Sequence, residues 1–326
     1  MGTVCKTRRA LTIAPVLTAL MSALPRAAYA QHNLTRLVVG FPPGGTLDFV
    51  ARTIAQPLGN ELGHQVIVEN KPGANGIIGG HAVARAAPDM TTLWLSSVGA
   101  VAITPSLGGK MPFDPERDLV PVSLVVRNVE VLVVNPSSPY NTATELVAAA
   151  RKGTSLKFAS SGIGSVPHLA IELLNDVAKL DILHVPYKGG GPAVTDVMAG
   201  HVDGYFSDIP GVIAFIKAGK LKPIGITGRR RHPLLPQVKT FDEMGLPGVE
   251  ADNWNALFAP KGSSAADVAR VGEVLRRVLS TDSVKAALEA SGAETSPSSS
   301  AEMAALLKTD SAKWARLIKL KNIKAE

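Results

Sequence analysis

Leu37, Val38 and Val39 form a short apolar run, and beyond Gly45 apolar residues return at three-and-four spacing, at Leu47, Val50, Ala51, Ile54 and Leu58. The first pattern predicts a strand and the second predicts one face of a helix. Val66 to Glu69, a small-residue stretch near Ile77 to Ala86, and Thr92 to Leu95 ending at Ser96-Ser97 continue the alternation. A β-α-β-α-β order of this kind predicts the start of a parallel sheet and an α/β protein. Leu119 to Asn135 is a β-type run longer than a usual strand, broken only around Arg127-Asn128, and reads as a crossover between two domains. After it, Thr142-Ala143-Thr144-Glu145 has the capping-box pattern of a helix that Gly153 ends. Strands follow at Lys157 to Ser160, Ile182 to Val185, Gly204 to Asp208 and Pro223 to Thr227, with helices between them. Asp252 to Phe258 looks β again, and from Ser264 the chain predicts helices with apolar faces at Val268, Val271, Leu275 and Val278, then Met303, Leu307, Trp314 and Leu317. Those faces are packing surfaces.

The junctions carry the candidate chemistry. Phe41-Pro42-Pro43-Gly44-Gly45-Thr46-Leu47-Asp48 joins the first strand to the first helix. Its prolines stop the strand, its glycines permit positive φ and close approach, and Thr46 or Asp48 can cap the free N–H groups of the helix start. Unpaired amides and the macrodipole make such a start a natural anion site. No Lys-Ser or Lys-Thr follows the glycines, so the phosphate-loop pattern fails, as does the dinucleotide fingerprint. The turn recurs at Ser160-Ser161-Gly162-Ile163-Gly164-Ser165 and at Lys188-Gly189-Gly190-Gly191, and three such turns suggest one shared cleft.

Charge looks different once the first thirty residues are set aside. Lys6, Arg8 and Arg9 precede a mostly apolar stretch from Ala10 to Leu24, and Ala28-Tyr29-Ala30 offers small residues for cleavage before Gln31. Residues 1–30 therefore read as a cleaved export leader, and the protein as periplasmic. Losing Lys6, Arg8, Arg9 and Arg26 takes 34 basic residues to 30 against 27 acidic, and the net charge from +7 to +3. No nucleic-acid partner is expected of so modest a charge, since Arg229-Arg230-Arg231 is an isolated run. The single cysteine, Cys5, leaves with the leader, which excludes disulfides and thiol chemistry.

The motifs, taken together, resemble the Bug family, the solute receptors of tripartite tricarboxylate transport systems. They are the Phe-Pro-Pro-Gly-Gly-x-x-Asp turn, Glu69 to Ala74, Phe113-Asp114-Pro115, Ala159-Ser160 to His168-Leu169-Ala170, Val185 to Gly189, Asp203 to Phe206 and Trp254 to Pro260. The resemblance implies a type II periplasmic-binding-protein fold, with two lobes joined by a hinge of two crossovers. Lobe 1 would be residues 31–130 and 252–326, and lobe 2 residues 131–251. It also implies a monomer that binds a small carboxylate and passes it to membrane permease subunits, with no cofactor and no metal. The ligand-binding residues it implies are Pro43, Gly44, Gly45, Thr46 and Asp48 from one lobe and Ser160, Ser161, Gly164, Ser165, His168, Lys188 and Gly189 from the other, with Ser96 and Asp208 at strand ends. Asp48 would repel a bound carboxylate, so it either turns inward to cap its helix or meets an ammonium. Three departures from the family pattern stand out: Met90-Thr91 in place of Gly-Tyr, Pro57 inside the first helix, and His201 in place of Gln. Pro57 should kink or shorten that helix.

Two rival readings remain. Ser165, His168 and Asp208 supply the residue types of an exported hydrolase, but Ser165 and His168 share one turn, and neither a Gly-x-Ser-x-Gly elbow nor a His-Glu-x-x-His pair occurs. A receptor presenting ligand to a membrane sensor protein would have the same sequence features as a transport receptor.

Overall fold

In the computed structural model, which describes residues 1–3 and 34–324, the chain divides into two units, Met1–Asn33 and Leu34–Glu326. Of the first unit only the exposed Met1 to Thr3 are described, so the predicted leader lies otherwise outside the described residues. Within the second, β1 (Leu34–Val39), α1 (Thr46–Leu62), β2 (Gln65–Asn70), α2 (Ile77–Ala84), β3 (Thr92–Ser97) and the short α3 (Pro115–Asp118) precede a 16-residue strand, β4 (Leu119–Val134). Next come α4 (Ala143–Arg151), β5 (Lys157–Ser160), α5 (Val166–Ala178), β6 (Leu183–Pro186), α6 (Gly190–Ala199), β7 (Gly204–Asp208), α7 (Ile209–Lys217) and β8 (Lys222–Ile226). The chain finishes with β9 (Asp252–Pro260), α8 (Ala265–Ser280), α9 (Asp282–Ser291), β10 (Glu294–Thr295) and α10 (Ser300–Lys321).

The strands run in the order β2-β1-β3-β9-β4-β7-β5-β6, with β8 and β10 also on β4. β1 pairs in parallel with β2 and β3, as the alternating pattern predicts, and β5 pairs in parallel with β6 and β7. β9 is antiparallel between β3 and β4, and β4 is antiparallel to β7, β8 and β10 as well. β4 changes partners along its length. Up to Val129 it lies against β9, and from Glu130 onward it lies against β7 and β8, with Val129 opposite Asp252 and Glu130 opposite Asp208.

Helices cover both faces of the sheet. The α1 stripe Leu47, Val50, Ala51, Ile54 and Leu58 is buried with Val268, Val271, Leu275 and Val278 of α8. Met303, Leu307, Trp314 and Leu317 of α10 are buried against the other face. The indole of Trp254 on β9 donates to Asp310 of α10 at 2.6 Å, tying strand to helix. Gly80 of α2 leaves room for two rings, because a Cβ there would fall 2.5 Å from Trp94 and 2.6 Å from Phe113. Pro57 does not shorten α1, which runs on to Leu62 before Gly63 (φ 77) closes it. Met90 takes φ 65, a left-handed conformation that glycine adopts freely and methionine only under strain. No helix among the described residues is long and apolar enough to cross a membrane.

Candidate functional site

The three glycine-rich turns and the start of α7 meet around one cavity of about 360 Å³. The loop before α1 contributes Pro43, Gly44, Gly45 and Thr46, the start of α5 contributes Ser161 and Ser165, the start of α6 contributes Lys188, Gly189, Gly190 and Gly191, and β7 and α7 contribute Tyr205, Ser207, Asp208 and Gly211. Three of these helices have no side chain on their free amides: α1 is preceded by Gly45, α6 by Gly189 and α7 by Asp208, and none makes a side-chain cap. The exception is α5, where the Ser165 hydroxyl accepts from His168 N–H at 3.4 Å and donates to the Gly162 carbonyl at 2.7 Å. The backbones come close. A Cβ on Gly190 would meet the Tyr205 hydroxyl at 3.0 Å, and one on Gly211 would meet Ser207 and Thr46 hydroxyls at 3.2 and 3.4 Å.

Several expected residues lie behind the wall and shape it. Asp48 is buried and faces neither solvent nor cavity. Its carboxylate accepts from Gly44 N–H (3.0 Å), Arg52 Nε (2.9 Å) and Asn70 Nδ2 (3.0 Å), and the Asn70 amide also donates to the Phe41 carbonyl. Burial pushes the Asp48 carboxyl up, but the hydrogen bonds from Arg52, Gly44 and Asn70 outweigh it and leave it below the ordinary range. Asp48 therefore turns inward to brace the loop ahead of its helix, and the Gly44 amide is already used. Gly44 is also the residue that needs glycine, at φ 88, whereas Gly45 sits at φ −86 in extended backbone open to any residue.

His168, Ser160 and Gly164 brace the second turn in the same way. The His168 ring is buried, its Nδ1 accepts from Gly164 N–H at 3.2 Å, and it stacks on His184 at 3.8 Å between centroids. His184 Nε2 lies 2.6 Å from the Ser160 hydroxyl, which also bonds Gly162. Burial, with a smaller contribution from His184, lowers His168 to about 3, and burial lowers His184 to about 4, so both rings are neutral at physiological pH. The hydrolase reading fails on this geometry, because Ser165 serves as the cap of the helix carrying His168 and the imidazole is spent on a backbone amide. Ser96 is buried and bonds the Ser97 carbonyl weakly at 3.4 Å. Its neighbour Ser97 is the residue on the cavity wall.

Asn75, Ser97, Tyr205, Asn253 and Asn255 line the cavity without having been singled out in the sequence. Asn75 sits at φ 51 and its amide bridges Thr104 Oγ1 and the Gly164 carbonyl, both at 3.0 Å. Ser97 and Asn255 are opposite each other in the β3–β9 register. Among the described residues no group of His, Cys, Asp and Glu is placed to hold a metal ion. Lys188, the one cation on the wall among the described residues, is exposed.

An α/β sheet whose two stretches share one long strand, with helix starts converging on a cation-poor cavity, defines a solute-binding protein. The family model described as tripartite tricarboxylate transporter family receptor matches residues 50–323. Protein BugT of Bordetella pertussis is 38% identical over 261 residues, which is 79% of this chain and 80% of BugT. MatC from Rhodopseudomonas palustris, solved with bound malate, superposes with a TM-score of 0.82 at 31% identity, covering 87% of this chain and 98% of MatC. Another R. palustris protein, solved with adipate, superposes at 0.86 and 30% identity, covering 89% and 98%. The chain belongs to the tripartite tricarboxylate transporter receptor family and is a solute-binding receptor, not an enzyme.

Proposed function

We propose that this receptor holds a small carboxylated metabolite in the cavity and delivers it to membrane permease subunits as an exported, periplasmic monomer cleaved after Ala30. The convergence of uncapped helix starts supports this reading: α1, α6 and α7 leave amides without side-chain partners at one cavity. Amides in such an arrangement bind an anion without the desolvation of a buried arginine. Pro43, Gly45, Thr46, Ser161, Ser165, Lys188 and Gly189 are the ligand-facing members, and Asp48, Ser160, Gly164 and His168 hold their loops. The malate and adipate in the two R. palustris relatives support a carboxylate as the ligand class.

Residues 31–130 with 252–326, and 131–251, would be the two lobes, hinged where β4 changes partners between Val129 and Glu130 and where the chain enters β9 at Asp252. Ligand that touches both lobes favours the closed arrangement and shifts the population toward it. Protein unfolded and refolded to strip retained ligand, then titrated calorimetrically with mono-, di- and aminocarboxylates, tests the reading. Saturable binding of at least one of them is expected, and a panel that yields none refutes it.

A further inference from the structure

Part of the cavity wall is built from acceptors. Asp208 is the residue before α7, where an aspartate ordinarily caps its own helix, yet its side chain makes no cap bond. Its Oδ1 instead accepts from Asn253 Nδ2 at 2.7 Å. A carboxylate only accepts, so the Asn253 nitrogen must face it, and the Asn253 Oδ1 is left over. That oxygen is buried with no donor, on a residue only 8% exposed. Both residues lie on the cavity wall. Directly across the β4–β7 register from Asp208 stands Glu130, fully buried, with no donor on either carboxyl oxygen.

No cation answers these groups among the described residues. Neither Asp208 nor Glu130 has an ion pair, while Glu130 is faced by Asp208 and by Asp252 at the start of β9. Burial first, then these neighbouring acids, holds the Glu130 carboxyl well above the ordinary range. Buried acceptors without donors are destabilising, and such a group in a native site points to a partner that is absent. A second ligand carboxylate arriving here would meet an acid pair and no compensating charge. A protonated amine would supply the donors and the charge together.

We propose that Asp208, backed by Glu130 and Asn253, is a cation subsite of this cavity, and that the ligand is an aminocarboxylate. Its carboxylate goes to the uncapped helix starts and its ammonium to Asp208. The proposal rests on the carboxylate reading above and adds the second functional group. It separates this chain from receptors that take a dicarboxylate in the same cavity.

The test is calorimetric titration of refolded protein with matched sets, in which an α- or ω-aminocarboxylate is compared with its desamino acid and with the dicarboxylate of the same chain length. One such set is 4-aminobutyrate, butyrate and succinate. An aminocarboxylate should bind at least about tenfold more tightly than both counterparts. Asp208→Asn, which preserves the shape and the Asn253 contact, should weaken that ligand on the order of a hundredfold and abolish the preference. Glu130→Gln should weaken it less, since it leaves the Asp208 carboxylate and its Asn253 contact in place. A dicarboxylate or desamino acid that binds as tightly as any amine, or an undiminished preference in Asp208→Asn, overturns the proposal while leaving the carboxylate receptor intact. Absence of binding by every member of every set overturns both.

Discussion

Acidifying the protein from pH 6.5 to 4.5 should expose the work done by the His168–His184 stack. In an unfolded chain an imidazole titrates near 6.5, whereas burial holds His168 at about 3. Below pH 6.5 the unfolded state takes up a proton that the folded state refuses, so stability falls with pH until the folded value is reached. The loss is about 1.4 kcal/mol per pH unit for each fully silent ring, or about 2.7 kcal/mol from His168 alone at pH 4.5. That is a large part of the ~5–15 kcal/mol that holds a domain folded. His184 and His232, also lowered by burial, act in the same direction. Glu130, Glu172 and Asp252 act oppositely, because burial raises their folded values and acidification relieves them. The net slope of the wild type therefore mixes several groups, and the informative quantity is a difference. His168→Asn places an amide oxygen near Nδ1, where it can still accept from Gly164 N–H. Urea denaturation at half-unit pH steps should give the variant a slope shallower by about 1.2 kcal/mol per unit on average between 6.5 and 4.5, whatever its stability at pH 7. Parallel curves for the two proteins would refute the assignment of a silent imidazole to His168.

Gly80→Ala should lower stability by about 1 to 3 kcal/mol, since its Cβ would collide with Trp94 and Phe113; an unchanged urea midpoint contradicts that packing. Gly190→Ala should weaken ligand binding about tenfold through the Tyr205 hydroxyl with little change in melting temperature, and calorimetry distinguishes the two effects. Lys188→Ala should reduce affinity by about 1 kcal/mol or less, because the ammonium is exposed and screened; complete loss of binding would mean that a charge clamp, rather than the helix starts, holds the ligand. Small-angle scattering should show a smaller radius of gyration with saturating ligand, and an unchanged profile despite proven binding would remove the support for hinge closure.

The parts of the site that were legible in the sequence are those set by local chemistry. Gly44-Gly45, Ser165 and Gly189 announce their helix starts through turn residues a few positions apart, and the apolar periodicity of α1 and α8 fixes which faces are buried. The rest depends on pairing between distant segments. Ser96 and Ser97 are equally plausible at a strand end, and only the β3–β9 register decides that Ser97 reaches the cavity beside Asn255. Asn75 belongs to an irregular turn at positive φ, which no periodicity reveals. Glu130 stood in plain view as a lone acid in the apolar run from Val129 to Val134, a conflict between residue and setting that could have marked it. Asp48 was decided by Asn70, a partner 22 residues away, which tied the carboxylate down together with Arg52.

The insertion of β9 between β3 and β4 bears on how the chain assembles. Residues 130–226 carry the end of β4 together with β5, β6, β7 and β8, so that stretch has all of its own strands as soon as it is available. β1, β2 and β3 do not. Their sheet joins β4 only through a strand that lies more than a hundred residues beyond β4 in the chain, and α8 and α10, which cover it, come later still. Long-range closure of this kind is slow, and until it happens the edges of β3 and β4 are open to mispairing. The middle of the chain should therefore acquire hydrogen-exchange protection before either end, and truncation before Asp252 should leave residues 34–129 without a sheet to complete.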